Sequence, residues 1–323
     1  MRMKILLAVD GSIDMQATIA LLRMMRFPSG SVVYLLHVVH LEEERAMEEP
    51  EPPSPHPAAD LPEKGSPSEK ESLWQQALQQ QGKAFLAHVM RELKRLNIET
   101  RPVLRVGIPG AEILRMIDEC QIDLVMVGTR KHSKLERFWL GSVSEWILNE
   151  AGCSVLLVRS KRRRRRGAPF HVLLAVDGSP DAWAAVEFTK SLVFPQRSRV
   201  TILHVIKKWL HQTSHGLSTW DVAGEEFSRQ AERAFGLRGK HAHELLNRTL
   251  HAFGDGEQTV EMSLILGHEA EEIVKAAKLL LPDLVVVGSK GLTGLRRILL
   301  GSVSSRVARH APCSVLVVRR RAS

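Results

Sequence analysis

Cysteine, tyrosine and long apolar runs are scarce in this chain, and each scarcity closes a class of protein. The 323 residues hold three cysteines and one tyrosine, with aromatics at 5%. Cys120, Cys153 and Cys313 make neither a disulfide framework nor a metal-ligand spacing, which points to a reducing cytoplasm. No apolar stretch reaches the roughly 20 residues that a membrane-spanning helix needs. The opening Met1-Arg2-Met3-Lys4-Ile5 runs directly into a strand-like segment without a signal-peptide cleavage site. Catalytic signatures are scarce too. No Ser–His–Asp or Cys–His arrangement is readable, and the Lys-Ser/Thr ending of a Walker phosphate loop is missing, so a dedicated enzyme is not indicated. What is present is a composition of 44% hydrophobic and 25% charged residues, in a chain long enough for two domains.

The net charge of +9 suggests a polyanion partner until it is located. Arg159, Lys161 and Arg162 to Arg166 supply seven positive charges, Arg319 to Arg321 supply three, and without these ten the chain sums to −1. The run Arg162 to Arg166 is suited to weak, non-specific polyanion contact; it lacks the interleaved aromatics that single-strand recognition uses. Residues 41–72 have the opposite character, with seven of the fifteen prolines and a net charge of −7. That composition reads as a mobile acidic loop, expected to compete with outside polyanions for the arginine run.

The strongest signal is a duplication. Ile5-Leu6-Leu7-Ala8-Val9-Asp10-Gly11-Ser12 recurs as Val172-Leu173-Leu174-Ala175-Val176-Asp177-Gly178-Ser179, and Leu36-His37-Val38 recurs as Leu203-His204-Val205, both 167 residues on. Beyond that point the offset is 160: Gly128 answers to Gly288, Gly141-Ser142 to Gly301-Ser302, and Cys153-Ser154-Val155 to Cys313-Ser314-Val315. The expected organisation is one domain over 1–159, an arginine-rich linker at 160–169 and a second domain over 170–323. Each copy alternates continuous Val/Leu/Ile runs with amphipathic helices. The expected fold is therefore α/β, as two tandem doubly wound five-stranded parallel sheets of Rossmann-like type. Strands are expected near 4–10, 31–39, 101–106, 123–128 and 154–158, with helices near 13–26, 71–96, 109–119 and 142–151. The second copy repeats this pattern, its helix between the second and third strands falling near 222–252.

At the end of the fourth strand of the second copy stands Gly288-x2-Gly291-x9-Gly301-Ser302. Glycines let backbone N–H groups approach a ligand closely, and a helix start at Ser302 would turn free N–H groups toward an anion; a phosphate suits both. A bare tight loop explains the same glycines.

Taken together, Asp-Gly-Ser after the first strand, Leu-His-Val in the second, this glycine pattern and the closing Cys-Ser-Val strand resemble the universal stress protein family, twice over. The resemblance implies a nucleotide-binding fold used in stress adaptation, with ATP, with or without Mg, as ligand. Carried over by position, Ala175 and Asp177 would line the adenosine end and the backbone of Val205 would meet the adenine edge. Gly288 and Gly291 would wrap ribose and phosphates, and Gly301, Ser302 and Val303 would hold the outer phosphates. Lys290, Arg296 and Arg297 stand nearby as added charge or as solvated loop. In the first copy Asp10, Val38, Gly128, Gly141 and Ser142 persist as a weaker second site. There Lys131 replaces the second glycine, a substitution disfavoured if that position needs positive φ. The family's habit of pairing through last strands implies that 154–158 and 314–319 join within the chain, and association of whole chains is a further possibility. Two rival readings are a scaffold without nucleotide turnover and an adenylyl-transferring enzyme. The second lacks the His-x-Gly-His and Ser-Gly-Gly-x-Asp-Ser signatures of such enzymes. His37 and His204 read as structural, His241, His243 and His251 as surface histidines, and Cys153 and Cys313 as packed thiols.

Overall fold

A computed structural model describes residues 2–10, 14–39, 67–94, 98–129, 140–160, 168–207, 236–254, 258–292 and 300–320. The first half contains β1 (Lys4–Val9), α1 (Asp14–Met24), β2 (Val32–Val39), α2 (Pro67–Lys94), β3 (Glu99–Val106), α3 (Pro109–Cys120), β4 (Leu124–Gly128), α4 (Ser142–Glu150) and β5 (Ser154–Val158). The second contains β6 (His171–Ala175), α5 (Pro180–Ser191), β7 (Arg199–Lys207), α6 (Leu237–Phe253), β8 (Thr259–Gly267), α7 (Glu269–Leu280), β9 (Leu284–Gly288), α8 (Ser302–His310) and β10 (Ser314–Val318). The helix starts follow local chemistry. Ser179 caps α5 by accepting from Ala182 N at 3.1 Å, with Pro180 as the first helical residue. The α2 helix begins at Pro67, inside the stretch expected to be loop. Proline is tolerated in a first turn, and the Ser68-to-Ser72 run of Ser, Glu and Lys supports helix where the preceding prolines do not. The rest of the acidic stretch lies outside the described residues.

The ten strands form one sheet in the order β3-β2-β1-β4-β5-β10-β9-β6-β7-β8. Within each half the strands are parallel, in the doubly wound order 3-2-1-4-5. The halves meet at β5 and β10, which pair antiparallel with Leu156 opposite Leu316. Every residue of β5, β6 and β10 is buried, which explains why these segments read as unbroken apolar runs. The edge strand β3 has no buried residue and carries Pro102 and three arginine or glutamate side chains, features that discourage further strand pairing. Two apolar layers lie one on each face of the sheet, and each draws residues from both halves.

At the seam each half lends the other an arginine. Arg159 donates to the carbonyls of Cys313 (3.3 Å) and Ala308 (2.5 Å), at the C-terminal end of α8. Arg319 donates to Cys153 O (3.2 Å) and Leu148 O (2.5 Å), at the end of α4. The backbone N–H of each arginine also reaches the serine hydroxyl that opens the partner strand, Ser314 or Ser154. A guanidinium is well placed there because the last carbonyls of a helix lack partners and carry negative partial charge. The charge count groups Arg159 and Arg319 with two short basic segments; both are buried, at 6% and 8% exposure. Cys153 and Cys313 are buried beside them, and burial pushes the Cys153 thiol up to about 12. A second contact relates the halves, where Arg26 and Val193 exchange backbone hydrogen bonds of 2.8 and 2.9 Å.

Candidate functional site

Doubly wound sheets present ligands at the carboxyl ends of their strands, and both halves gather their repeated motifs there. In the second half β9 ends at Gly288. A Cβ on this residue would lie 2.7–2.8 Å from the backbone of Asp181 and Ala182. Gly288 is therefore demanded by the packing of α5 on β9, a physical reason beyond the ligand approach read from sequence. The loop that follows is held by side chains. Ser289 Oγ donates to Asp181 Oδ2 at 2.6 Å, and Lys290 N donates to the same oxygen at 3.0 Å. Ser179 Oγ reaches Lys290 O at 3.2 Å, while Ser289 O accepts from Ser304 Oγ (2.8 Å) and Gly301 N (2.7 Å).

These bonds bring the expected site residues together. A Cβ at Gly291 would stand 2.8 Å from Asp177 Oδ2, so the loop abuts the tip of the first strand of its half. Gly291 does not have positive φ. A side chain here would have to displace the end of the Asp177 carboxylate, so the backbone argument against lysine gives way to a spatial one. Asp177 is itself oriented by Ser179 N, 2.9 Å from its Oδ1. Ala175 and Val205 are buried at the ends of β6 and β7, and Val303 packs on the same apolar layer. Ser302 is the first helical residue of α8 and Gly301 is the cap, in extended backbone without a side-chain cap. No acid occupies the first turn of α8, which leaves the positive end of the helix dipole uncountered by a local carboxylate.

In the first half the corresponding strand ends enclose a cavity of about 690 Å³. Asp10, Val38, Gly128, Gly141 and Ser142, all five residues assigned by position to the weaker site, line it. Leu78 and Phe85 of α2, Ile108 before α3, and Trp146 of α4 line it as well. Trp146 lies against Gly110, where a Cβ would meet its Cε3 at 2.2 Å. Repetition could not reveal these residues, because their partners in the second half are Arg238, Leu245, His268 and Arg306. Asp181 was also missed as a loop anchor, although its repeat at Asp14 was a visible signal. In the first half Glu145 stands in the first turn of α4 and pairs with Arg309 of α8 at 2.9 Å.

The matched histidines are structural, as their sequence context implied. His37 Nδ1 lies 2.9 Å from Val9 O and His204 Nδ1 lies 2.7 Å from Val176 O, each tying the second strand to the tip of the first. Burial lowers the pKa of His204. His241 and His251 are exposed, but His243 is buried and contacts the Asn247 amide at 3.1 Å, which corrects the surface reading. A helix face supplies that amide one turn away. Lys131, Arg296, Arg297 and Arg162 to Arg166 lie outside the described residues.

Comparison with known proteins accounts for the repeated architecture. The universal stress protein family matches residues 1–159 and again 170–319. A protein of Staphylococcus aureus (strain USA300) named as a universal stress protein is 36% identical over 155 residues, spanning 46% of this chain and 83% of its own. Among solved structures, a universal stress protein from Archaeoglobus fulgidus DSM 4304 superposes with a TM-score of 0.55 at 19% identity, covering 98% of this chain and 96% of its own. One from Pseudomonas aeruginosa UCBPP-PA14 gives a TM-score of 0.55 at 14% identity, covering 99% and 94%. The chain belongs to the universal stress protein family, which it represents twice in tandem.

Proposed function

We propose that this protein is a nucleotide-responsive regulator that holds ATP, with or without Mg, chiefly in its second half and does not turn it over as a dedicated enzyme. The observation that carries the reading is the meeting of Asp177 with Gly291, and of Gly301 with Ser289, at the uncapped start of α8. Ala175, Asp177 and Val205 would take the nucleoside end; Gly288, Gly291, Gly301, Ser302 and Val303 would face the phosphates. The fit is physical: a glycine opens space beside a carboxylate, and an uncapped helix start offers N–H groups to an anion. Metal, when bound, would neutralise phosphate charge. Phosphoryl transfer would call for a lysine and a metal-holding serine on a Walker loop, and the sequence has neither.

The antiparallel β5–β10 pair and the exchanged arginines support a second element of the proposal, that one chain acts as a built-in dimer. A scaffold reading draws on the loop at 288–291, which the protein's own side chains already hold. Mass spectrometry of ligand released from purified protein, followed by calorimetric titration with ATP, separates the two. Binding that is lost in Gly291→Lys supports the nucleotide role; absence of binding in the wild type favours the scaffold.

A further inference from the structure

Packing does not account for three leucines at the end of α7. Leu279, Leu280 and Leu281 are 71%, 39% and 61% exposed. The first half carries Glu119, Cys120 and Gln121 at the same three positions. Both copies close the helix on a residue with left-handed backbone, Gln121 at φ 53° and Leu281 at φ 50°. Gln121 puts that position to use, because its Nε2 donates to Asp118 O at 2.8 Å. A leucine side chain cannot cap a carbonyl, is strained at positive φ, and gains little burial here. These leucines cost stability at positions where the other copy shows better residues. An apolar cluster kept in water on those terms marks a docking surface.

The charges change with them. Asp118 and Glu150 of the first half give way to Lys278 and His310, each in the last turn of its helix. Burial, and then the charges of Arg306, Lys278, Arg309 and Arg159, lower the pKa of His310, so positive charge gathers at this corner. The basic run of the linker is anchored here on both sides. Upstream, Arg159 N donates to Ser314 Oγ at 3.1 Å, and Ser314 pairs in register with Leu284, three residues past Leu281. Downstream, His171 N donates to Asp283 Oδ2 at 2.9 Å, and His171 O accepts from Asp283 N at 2.7 Å, two residues past Leu281. A span of five residues keeps Arg166 within about 17 Å of His171.

Exposed leucines beside concentrated positive charge suit a surface that is anionic at its face and apolar just beneath. We propose that this corner docks the chain on an anionic lipid bilayer, with Leu279 to Leu281 entering the headgroup boundary and Lys278 meeting lipid phosphates. The anchored basic run adds attraction by its charge. A nucleic acid would use the charge but offers no apolar layer to the leucines. The association is peripheral, since among the described residues no helix is long and apolar enough to cross a membrane. It needs no nucleotide in either half.

Co-sedimentation of the full chain with vesicles tests this, using phosphatidylcholine alone and phosphatidylcholine mixed with phosphatidylglycerol, at physiological salt. The mixed vesicles should bind roughly tenfold more tightly or better. Leu279→Gln and Leu281→Gln should each weaken that binding several-fold, and together by roughly tenfold. Leu281→Gln introduces the residue that caps α3, so its thermal midpoint should hold level or rise, which separates lost docking from lost folding. Replacing Arg162 to Arg166 with serine should remove most of the preference for phosphatidylglycerol. Binding that falls with salt but ignores both leucine variants reduces the effect to polyanion attraction and overturns the proposal. Equal binding to both vesicles, or binding to neither, overturns it too. So does a dimer seen by light scattering that Leu279→Gln dissolves while vesicle binding is absent, which would give the leucines to a second copy.

Discussion

The two halves share a backbone plan and divide at the ends of their strands. Where they agree, the reason is structural: His37 and His204 make the same bond to a strand-tip carbonyl, and Arg159 and Arg319 cap helices of the opposite half in the same way. Where they differ, the change falls at the mouth of the first-half cavity, with Trp146 against Arg306 and Ile108 against His268, and in the sequence of the glycine motif, with Lys131 against Gly291. Duplication thus preserved the frame that holds the sheet together and released the sites to diverge.

The largest expected effect tests the frame. Gly288→Val forces a branched side chain onto the backbone of α5, and we expect a loss of about 3 kcal/mol or more in urea unfolding, the upper range for overpacking. A cost below about 1 kcal/mol would show that α5 can move away and that packing does not require this glycine.

Next come the exchanged arginines. Arg159→Ala and Arg319→Ala each remove the guanidinium donor from buried helix-end carbonyls and should each cost roughly 1–3 kcal/mol, the range for a lost buried hydrogen-bond partner. Equal costs would sharpen the symmetry. Costs differing several-fold would break it.

A smaller effect follows from His204. Burial depresses its pKa below the ordinary 6.5, so the unfolded state takes up a proton first as pH falls. This residue's contribution is full above about pH 6.5 and declines as pH drops toward the folded value. His204→Gln should flatten the fall in stability between pH 7 and pH 5, measured by urea titration at each pH; an unchanged slope would assign the acid sensitivity elsewhere. The smallest effect belongs to the exposed Glu145–Arg309 pair, which occurs in one direction only. Its double-mutant coupling should lie below about 1 kcal/mol and shrink with salt.

Much of the frame was legible because it rests on local pattern. Unbroken runs such as Leu284-Val285-Val286-Val287 announced buried parallel strands, and repetition placed Asp10, Val38, Gly128, Gly141 and Ser142 around one cavity. Arg159 and Arg319 were misassigned because a charge count sees a basic segment, whereas their acceptors lie some 150 to 170 residues away. The spacing motif located Gly288 and Gly291 but not their purpose. One makes room for a helix backbone and the other for a carboxylate, and neither neighbour is close in sequence. Trp146, like Ile108 and Leu78, does not repeat, so the duplication carries no sign of it.

The central claim is that the halves keep one frame and present two different sites. Calorimetric titration of the wild-type chain and of Gly291→Lys with ATP tests it most directly. The account predicts one ATP per wild-type chain and at least a tenfold weaker affinity, about 1.4 kcal/mol, in the variant. Two equivalent ATP sites, or unchanged binding by Gly291→Lys, would contradict it.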